Sequence, residues 1–296
     1  MAGCIPQRLR SWTPRCAWLI LAASLSSLRA GEGPYFVTYS HYMEEPGNLE
    51  VGFINSLGRP DQGNRFFNNL AELEYGVKTW WTSELYLHGQ STRHDSTVFT
   101  GFRFENRFRL LRTEHWINPV LYVEYENING ADRSLKEIVG SDGQDDLRTP
   151  NDEARRERKH EVEAKLILGS SFKGWTIAEN FIAEKNLGHE PFEFGYAVAV
   201  GRPLALAARP DPCRFCRENF SVGLEAYGGL GTHEHFTPRG ASHYLAPTVA
   251  WALPGGTTFR VSPGFGLTGS SLPFLLRFGV SYEISQFGQK IERMFR

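Results

Sequence analysis

Long hydrophobic runs are scarce in this sequence. Outside residues 16–28 no stretch approaches the roughly 18 consecutive apolar residues that a spanning helix requires, so a helical membrane protein is excluded beyond the leader. Cysteine is scarce too: of the four, Cys4 and Cys16 lie in the first thirty residues, leaving only Cys213 and Cys216 further on. A four-cysteine zinc site therefore cannot be completed, and Arg217 stands where haem attachment would need histidine. Nor is there an excess of positive charge, since 32 Lys and Arg face 33 Asp and Glu. Nothing in that balance suggests a nucleic-acid partner.

What is present begins with Arg8, Arg10 and Arg15, then CAWLILAASLSSL over residues 16–28, then Arg29, Ala30 and Gly31. A basic segment, a short apolar core and small residues describe a secretory signal peptide over 1–30, with an uncleaved anchor as the alternative. Its removal takes away four arginines and no acid, moving the formal net charge from -1 to -5. Cys213 and Cys216 would then reside in an oxidising compartment, where a disulfide is permitted.

From residue 49 onward, bulky apolar residues alternate with polar or small ones in short segments separated by turn chemistry. Twelve segments are expected: 49–57, 69–78, 81–89, 97–110, 119–128, 159–171, 175–185, 192–202, 219–230, 244–253, 257–268 and 272–285. The fourth is the clearest, with Phe102, Phe104 and Phe108 against Arg103, Glu105, Arg107 and Arg109. Across segments two to six the polar rank comprises Glu72, Glu74, Glu84, Arg103, Glu105, Arg107, Arg109, Glu124, Glu126, Glu161, Glu163 and Lys165. A mean hydropathy of -0.36 does not oppose a membrane barrel, because only alternate residues face lipid. A soluble barrel or sandwich shares the alternation with its apolar face turned inward. Residues 31–48 form a lead-in with an aromatic run over 35–42, expected as a periplasmic segment or an extra strand; 286–296 is a C-terminal tail.

The connections fit a barrel with periplasmic termini, which needs short turns on one side and longer loops on the other. Residues 79–80, 172–174 and 254–256 make short periplasmic turns, while 129–158, charged and rich in Gly, Asp and Asn, falls outside. Trp80, Trp81, Trp116, Trp175 and Trp251 all land at periplasmic ends, as an aromatic membrane girdle would. Residues 203–218, containing PDPCRFC, are too long for such a turn and imply an added periplasmic element or a different parity there.

The last segment, LPFLLRFGVSYEI, carries a resemblance. Arg277, Gly279, Tyr282 and Ile284 resemble the C-terminal assembly signal of Gram-negative outer-membrane barrels: a polar residue, Gly two later, then hydrophobic or aromatic residues three and five after the Gly. EPGNLE and NPVLYVEYENING are similar to segments of a set of uncharacterised outer-membrane proteins. The resemblance implies an all-β fold, a single antiparallel transmembrane β-barrel over 49–285 of about twelve strands, with short periplasmic turns and longer external loops. It further implies export through the periplasm to the outer membrane. The expected partners are outer-membrane lipids, periplasmic chaperones and the barrel assembly machinery, with no cofactor.

Three function classes remain. The first is passive passage of an unknown small solute through a lumen lined by the charged rank, as charged rings line other channels. The second is a plugged barrel serving as an anchor or as a binding surface through its external loops. A hydrolase is third: His88, Ser91, His94, Asp95 and Ser96 offer nucleophile, base and acid types, yet without the spacing of known outer-membrane phospholipases. His233, Glu234, His235 and His243 offer metal-ligand types but no fixed geometry, and no metal is expected. For Cys213 and Cys216 the spacing suits a disulfide or a redox pair.

Overall fold

Alternating side chains give strands, and the strands close on themselves. The computed structural model describes residues 33–133, 147–188, 190–207 and 213–295. Twelve antiparallel strands form a closed barrel: β1 (Leu49–Arg59), β2 (Phe66–Lys78), β3 (Trp81–Thr92), β4 (Thr97–Arg109), β5 (Asn118–Asn129), β6 (Arg158–Phe172), β7 (Trp175–Asn186), β8 (Phe192–Pro203), β9 (Phe220–Thr232), β10 (His243–Ala252), β11 (Thr257–Gly266) and β12 (Phe274–Ile284). Each pairs with its neighbours in sequence and β12 pairs with β1, so no backbone edge is left open. A one-turn helix α1 (Asn151–Ala154) precedes β6, and α2 (Phe287–Met294) follows β12. Among the described residues no helix is long and apolar enough to cross a membrane, which says nothing of strands.

Polarity is inverted relative to a water-soluble barrel. Along β4, Phe99 and Phe104 are exposed on the outside while Arg103, Glu105 and Arg107 are buried inside. Phe53, Leu73, Leu121, Leu166, Phe181, Phe259 and Phe278 extend the outer apolar surface around the barrel. Strand lengths from 10 residues in β10 to 15 in β6 meet the roughly 9–11 residues needed to cross a hydrocarbon layer at a tilt.

One end carries short turns at 79–80, 173–174 and 253–256; the other carries the described parts of the β5–β6 connection, 130–133 and 147–157, and the 233–242 loop. The 204–219 connection lies at the short-turn end, where Cys213 and Cys216 are joined in a disulfide before a 3-10 turn at Arg217–Asn219. Trp251 donates its indole N–H to Arg214 O at 2.8 Å and stacks on Phe215, which ties this connection to β10. It is an added element, and the strand parity is unchanged by it.

Two expectations are corrected. Residues 35–44 are neither a periplasmic lead-in nor an extra strand: they run inside the barrel, with Tyr35, Val37, His41 and Met43 buried against the wall. The segment enters near β8 and β9, turns at mid-depth, and leaves beside β2 into β1. Inward-facing glycines make room for it, since a Cβ at Gly201 or Gly223 would stand 2.6 and 2.8 Å from the Tyr35 side chain. The 129–158 connection is likewise not a free external loop in its described parts. Ala131, Asp132, Arg133, Leu147 and Asn151 are buried, and Leu147 packs with Phe66, Tyr227 and Leu275. The signal-peptide segment lies outside the described residues.

Candidate functional site

The lumen at mid-depth is built by the polar rank of β2–β6. Alternation turns every second side chain inward, and the register then decides which charges meet. Arg107 on β4 is fully buried and its Nη2 reaches two carboxylates, Glu74 on β2 and Glu84 on β3. Its Nε lies 3.2 Å from Glu105 Oε1. Arg103, four residues before Arg107, donates from Nη1 to Glu124 Oε1 on β5 at 3.1 Å and from Nε to His88 Nε2 at 2.8 Å. Because a guanidinium only donates, His88 must carry its proton on Nδ1, which faces Asp132 Oδ2 at 3.2 Å. Lys165 on β6 sits 2.8 Å from Glu163, with its ammonium 4.1 and 4.7 Å from the ring centres of Tyr122 and Tyr39. Arg103 likewise lies over the Tyr86 ring and Arg107 over the Tyr39 ring, so each cation is both ion-paired and set against an aromatic face, a geometry that stabilises a desolvated positive charge.

The remaining members of the rank are peripheral to this network. Glu72 accepts from Tyr86 at 3.5 Å, and Tyr86 also donates to Glu84. Glu161 accepts from Asn186 at 3.3 Å. Glu126 is buried beside Glu124 and Glu163, the carboxylate oxygens of the three lying within 4.8 Å of one another. Arg109 is half-buried at the short-turn end, donating to His41 O at 3.4 Å.

The inner segment is held mostly by polar bonds. Glu225 on β9 accepts the backbone N–H groups of Phe36, Val37 and Thr38 at 2.9, 2.9 and 2.8 Å. Asn180 on β7 accepts from Tyr39 N at 2.7 Å and donates to Tyr39 O at 2.8 Å, as a neighbouring strand would. Tyr39 then places its hydroxyl 2.8 Å from Glu105, joining the segment to the charged rank. Between the segment, β1–β3 and Arg260 remains a cavity of about 40 Å³, space for water rather than a solute. At the long-loop end Asp132 takes Thr100 Oγ1 at 2.7 Å as well as His88. A bulge in β4, where His88 pairs with Gly101 and Gly89 with Phe99, turns Thr100 toward it.

Sequence patterning missed Tyr39, Asn180, Glu225 and Asp132. A single acid at an inward position of a strand rich in glycine and aromatics was the available signal for Glu225; Asp132 had none. The hydrolase candidates are not assembled. His88 faces the lumen, whereas Ser91 bonds Thr97 at an exposed site, and Asp95 accepts the Asn151 N–H. Three residues apart on a strand, His88 and Ser91 point to opposite faces. His233 accepts from Phe192 N while His243 opens β10 beside Tyr196, so these imidazoles serve separate neighbours. Trp80, Trp81, Trp116, Trp175 and Trp251 all stand at the short-turn end, Trp80 and Trp81 stacking on Phe108. On β12, Tyr282 faces outward, Ile284 ends the strand, Arg277 donates inward to the Tyr227 hydroxyl, and Gly279 lies against Phe36.

No family model and no curated protein matches the chain. Among solved structures it is similar to an outer membrane channel from Pseudomonas putida F1, at 10% identity and a TM-score of 0.50, over 81% of this chain and 97% of that one. It also resembles the KdgM porin in complex with disordered oligogalacturonate (8% identity, TM-score 0.46, 79% and 98% covered) and the NanC porin (9%, 0.44, 80% and 100%). The likeness to the first is one of fold: a closed antiparallel barrel of the outer-membrane kind.

Proposed function

We propose that the protein is an outer-membrane barrel that passes small polar solutes, and that the conformation described is its closed form. An apolar outer surface and a charged interior suit a chain surrounded by lipid with a polar path along its axis. The observation that carries the reading is how residues 35–39 are held. Three of their N–H groups end on one carboxylate, Glu225, and the backbone of Tyr39 ends on one amide, Asn180. A strand of the sheet would instead be fixed by a ladder of backbone bonds along its length. Most of the bonds that hold the segment run to single side chains of the wall, so it can leave the periplasmic half of the lumen without breaking a backbone ladder.

The test is single-channel recording of the refolded protein in a planar bilayer, comparing the unaltered chain with Glu225→Ala combined with Asn180→Ala. The expected outcome is rare, short openings in the first and frequent, discrete steps in the second. Silence in both would sink the channel reading and favour the second one, a permanently plugged barrel that serves as an anchor. That alternative draws support from the fully buried network around Arg107.

A further inference from the structure

Glutamates face one another across strand after strand. Glu283 on β12 pairs in register with Glu50 on β1, Glu50 with Glu74 on β2, Glu74 with Glu84 on β3, and Glu84 with Glu105 on β4. From there Glu105 pairs with Glu124 on β5, Glu124 with Glu163 on β6, Glu163 with Glu184 on β7, and Glu184 with Glu193 on β8. Like charges placed directly opposite destabilise a sheet, so stability alone does not account for such a row. Strands in a barrel are tilted, and a line drawn square to them therefore climbs the wall. Eight steps of about 4.8 Å at a tilt of roughly 40° rise about 25 Å, close to the height of the apolar band of such barrels. The ends agree with that climb. Glu283 and Glu50 sit next to the short-turn ends of their strands, and Glu193 next to the long-loop end of β8.

We infer that this stair of carboxylates, running from one mouth to the other, makes the lumen selective for small cations. The inference rests on the channel reading above and names its solute class. A cation meets a carboxylate on each of nine successive strands, which lie about 4.8 Å apart, and conduction proceeds through such a series of sites.

Two observations beyond the row itself point to a cationic occupant. Glu126, beside the stair, is 2% exposed, with no Lys or Arg at ion-pair distance among the described residues and no hydrogen-bond partner for Oε2. The cation whose charge reaches this buried, inward-facing carboxylate, Arg103, is bonded to Glu124 and His88 instead. Second, the protein's own cations already sit on the stair. Lys165 lies between Glu163 and the Tyr39 and Tyr122 rings, Arg107 on Glu74, Glu84 and Glu105, and Arg103 on Glu124. The site chemistry thus accepts ammonium and guanidinium groups, and an entering cation competes with groups of its own charge.

The experiment measures reversal potential across a KCl gradient, using Glu225→Ala with Asn180→Ala as the parent. To it is added Glu184→Gln with Glu193→Gln, which removes the two upper steps without touching Arg107. Asp61→Asn with Asp152→Asn, at exposed positions outside the strands, controls for charge at the mouth. The expected result is a K⁺ over Cl⁻ permeability ratio of about five or more in the parent, falling at least about twofold in the stair variant and unchanged in the control. Clear steps with no cation preference, or a preference the stair variant leaves intact, would overturn the inference while the channel stands. Absence of steps in every variant would remove the channel reading and this inference together.

Discussion

Arg107 and Arg109 are two residues apart on one strand, facing the same way, and their situations differ completely. Arg107 has been stripped of water and repaid with three carboxylates; Arg109 is half-buried and, among the described residues, reaches only a carbonyl. Removing one partner from a buried charge network leaves the others uncompensated, at a cost of about 3–5 kcal/mol. Arg107→Ala should therefore lower barrel stability by that order, and Arg109→Ala by about 1 kcal/mol or less. Urea unfolding in lipid vesicles, followed by tryptophan fluorescence, checks the contrast. Equal effects would mean that the network around Arg107 is not closed as described. The alternation in the sequence already put Arg103 and Arg107 inside with glutamates as neighbours. Which partner each would meet was not legible, because Arg107 reaches back to Glu74 on β2 and Glu84 on β3 while Arg103 reaches forward to Glu124 on β5 and back to His88 on β3, and register decides that.

Among the elements, residues 35–44 departed furthest from expectation. Their aromatic run carries no strand ladder and no helical period, and what they bind is spread over β3, β4, β6, β7 and β9. Only the closed barrel brings those strands around one axis. A side chain added at Gly223 would strike Tyr35, so Gly223→Leu should expel the segment without removing any polar partner. Val37→Cys, in a background with Cys4 and Cys16 replaced, reports on this. It is 6% exposed, so a maleimide should label it slowly in the otherwise unaltered barrel and at least about tenfold faster with Gly223→Leu. Equal, rapid labelling in both would show that the segment does not reside in the lumen. The 130–157 connection makes the same point at the other end. Its composition reads as a solvated loop, yet Asp132 is drawn inside by His88 and Thr100, the latter aimed by a bulge at Gly101.

For the whole molecule, the inverted polarity is the dominating feature. Phe104 and Glu105 are adjacent in β4, one 46% exposed and the other fully buried. A cationic residue on the lipid face near mid-membrane costs about 2–4 kcal/mol. Phe104→Arg should lose that much folding stability in vesicles and very little in a zwitterionic detergent whose headgroups can hydrate the charge. A loss of similar size in both media would argue that Phe104 does not face lipid.

The sequence by itself determined the number of strands, their order and, away from the bulge that turns Thr100 inward, the alternation that puts the charged rank on one face. These follow from a period of two and from turn chemistry, which are local. Tertiary structure decided what fills the barrel. The closure of β1 on β12, the cross-strand register that strings nine glutamates into one climbing row, and the folding of residues 35–44 and 130–133 into the lumen all depend on contacts between strands distant in sequence. No local pattern encodes them, because a side chain's partners inside a barrel are set by stagger and curvature, and those exist only once the ring has closed.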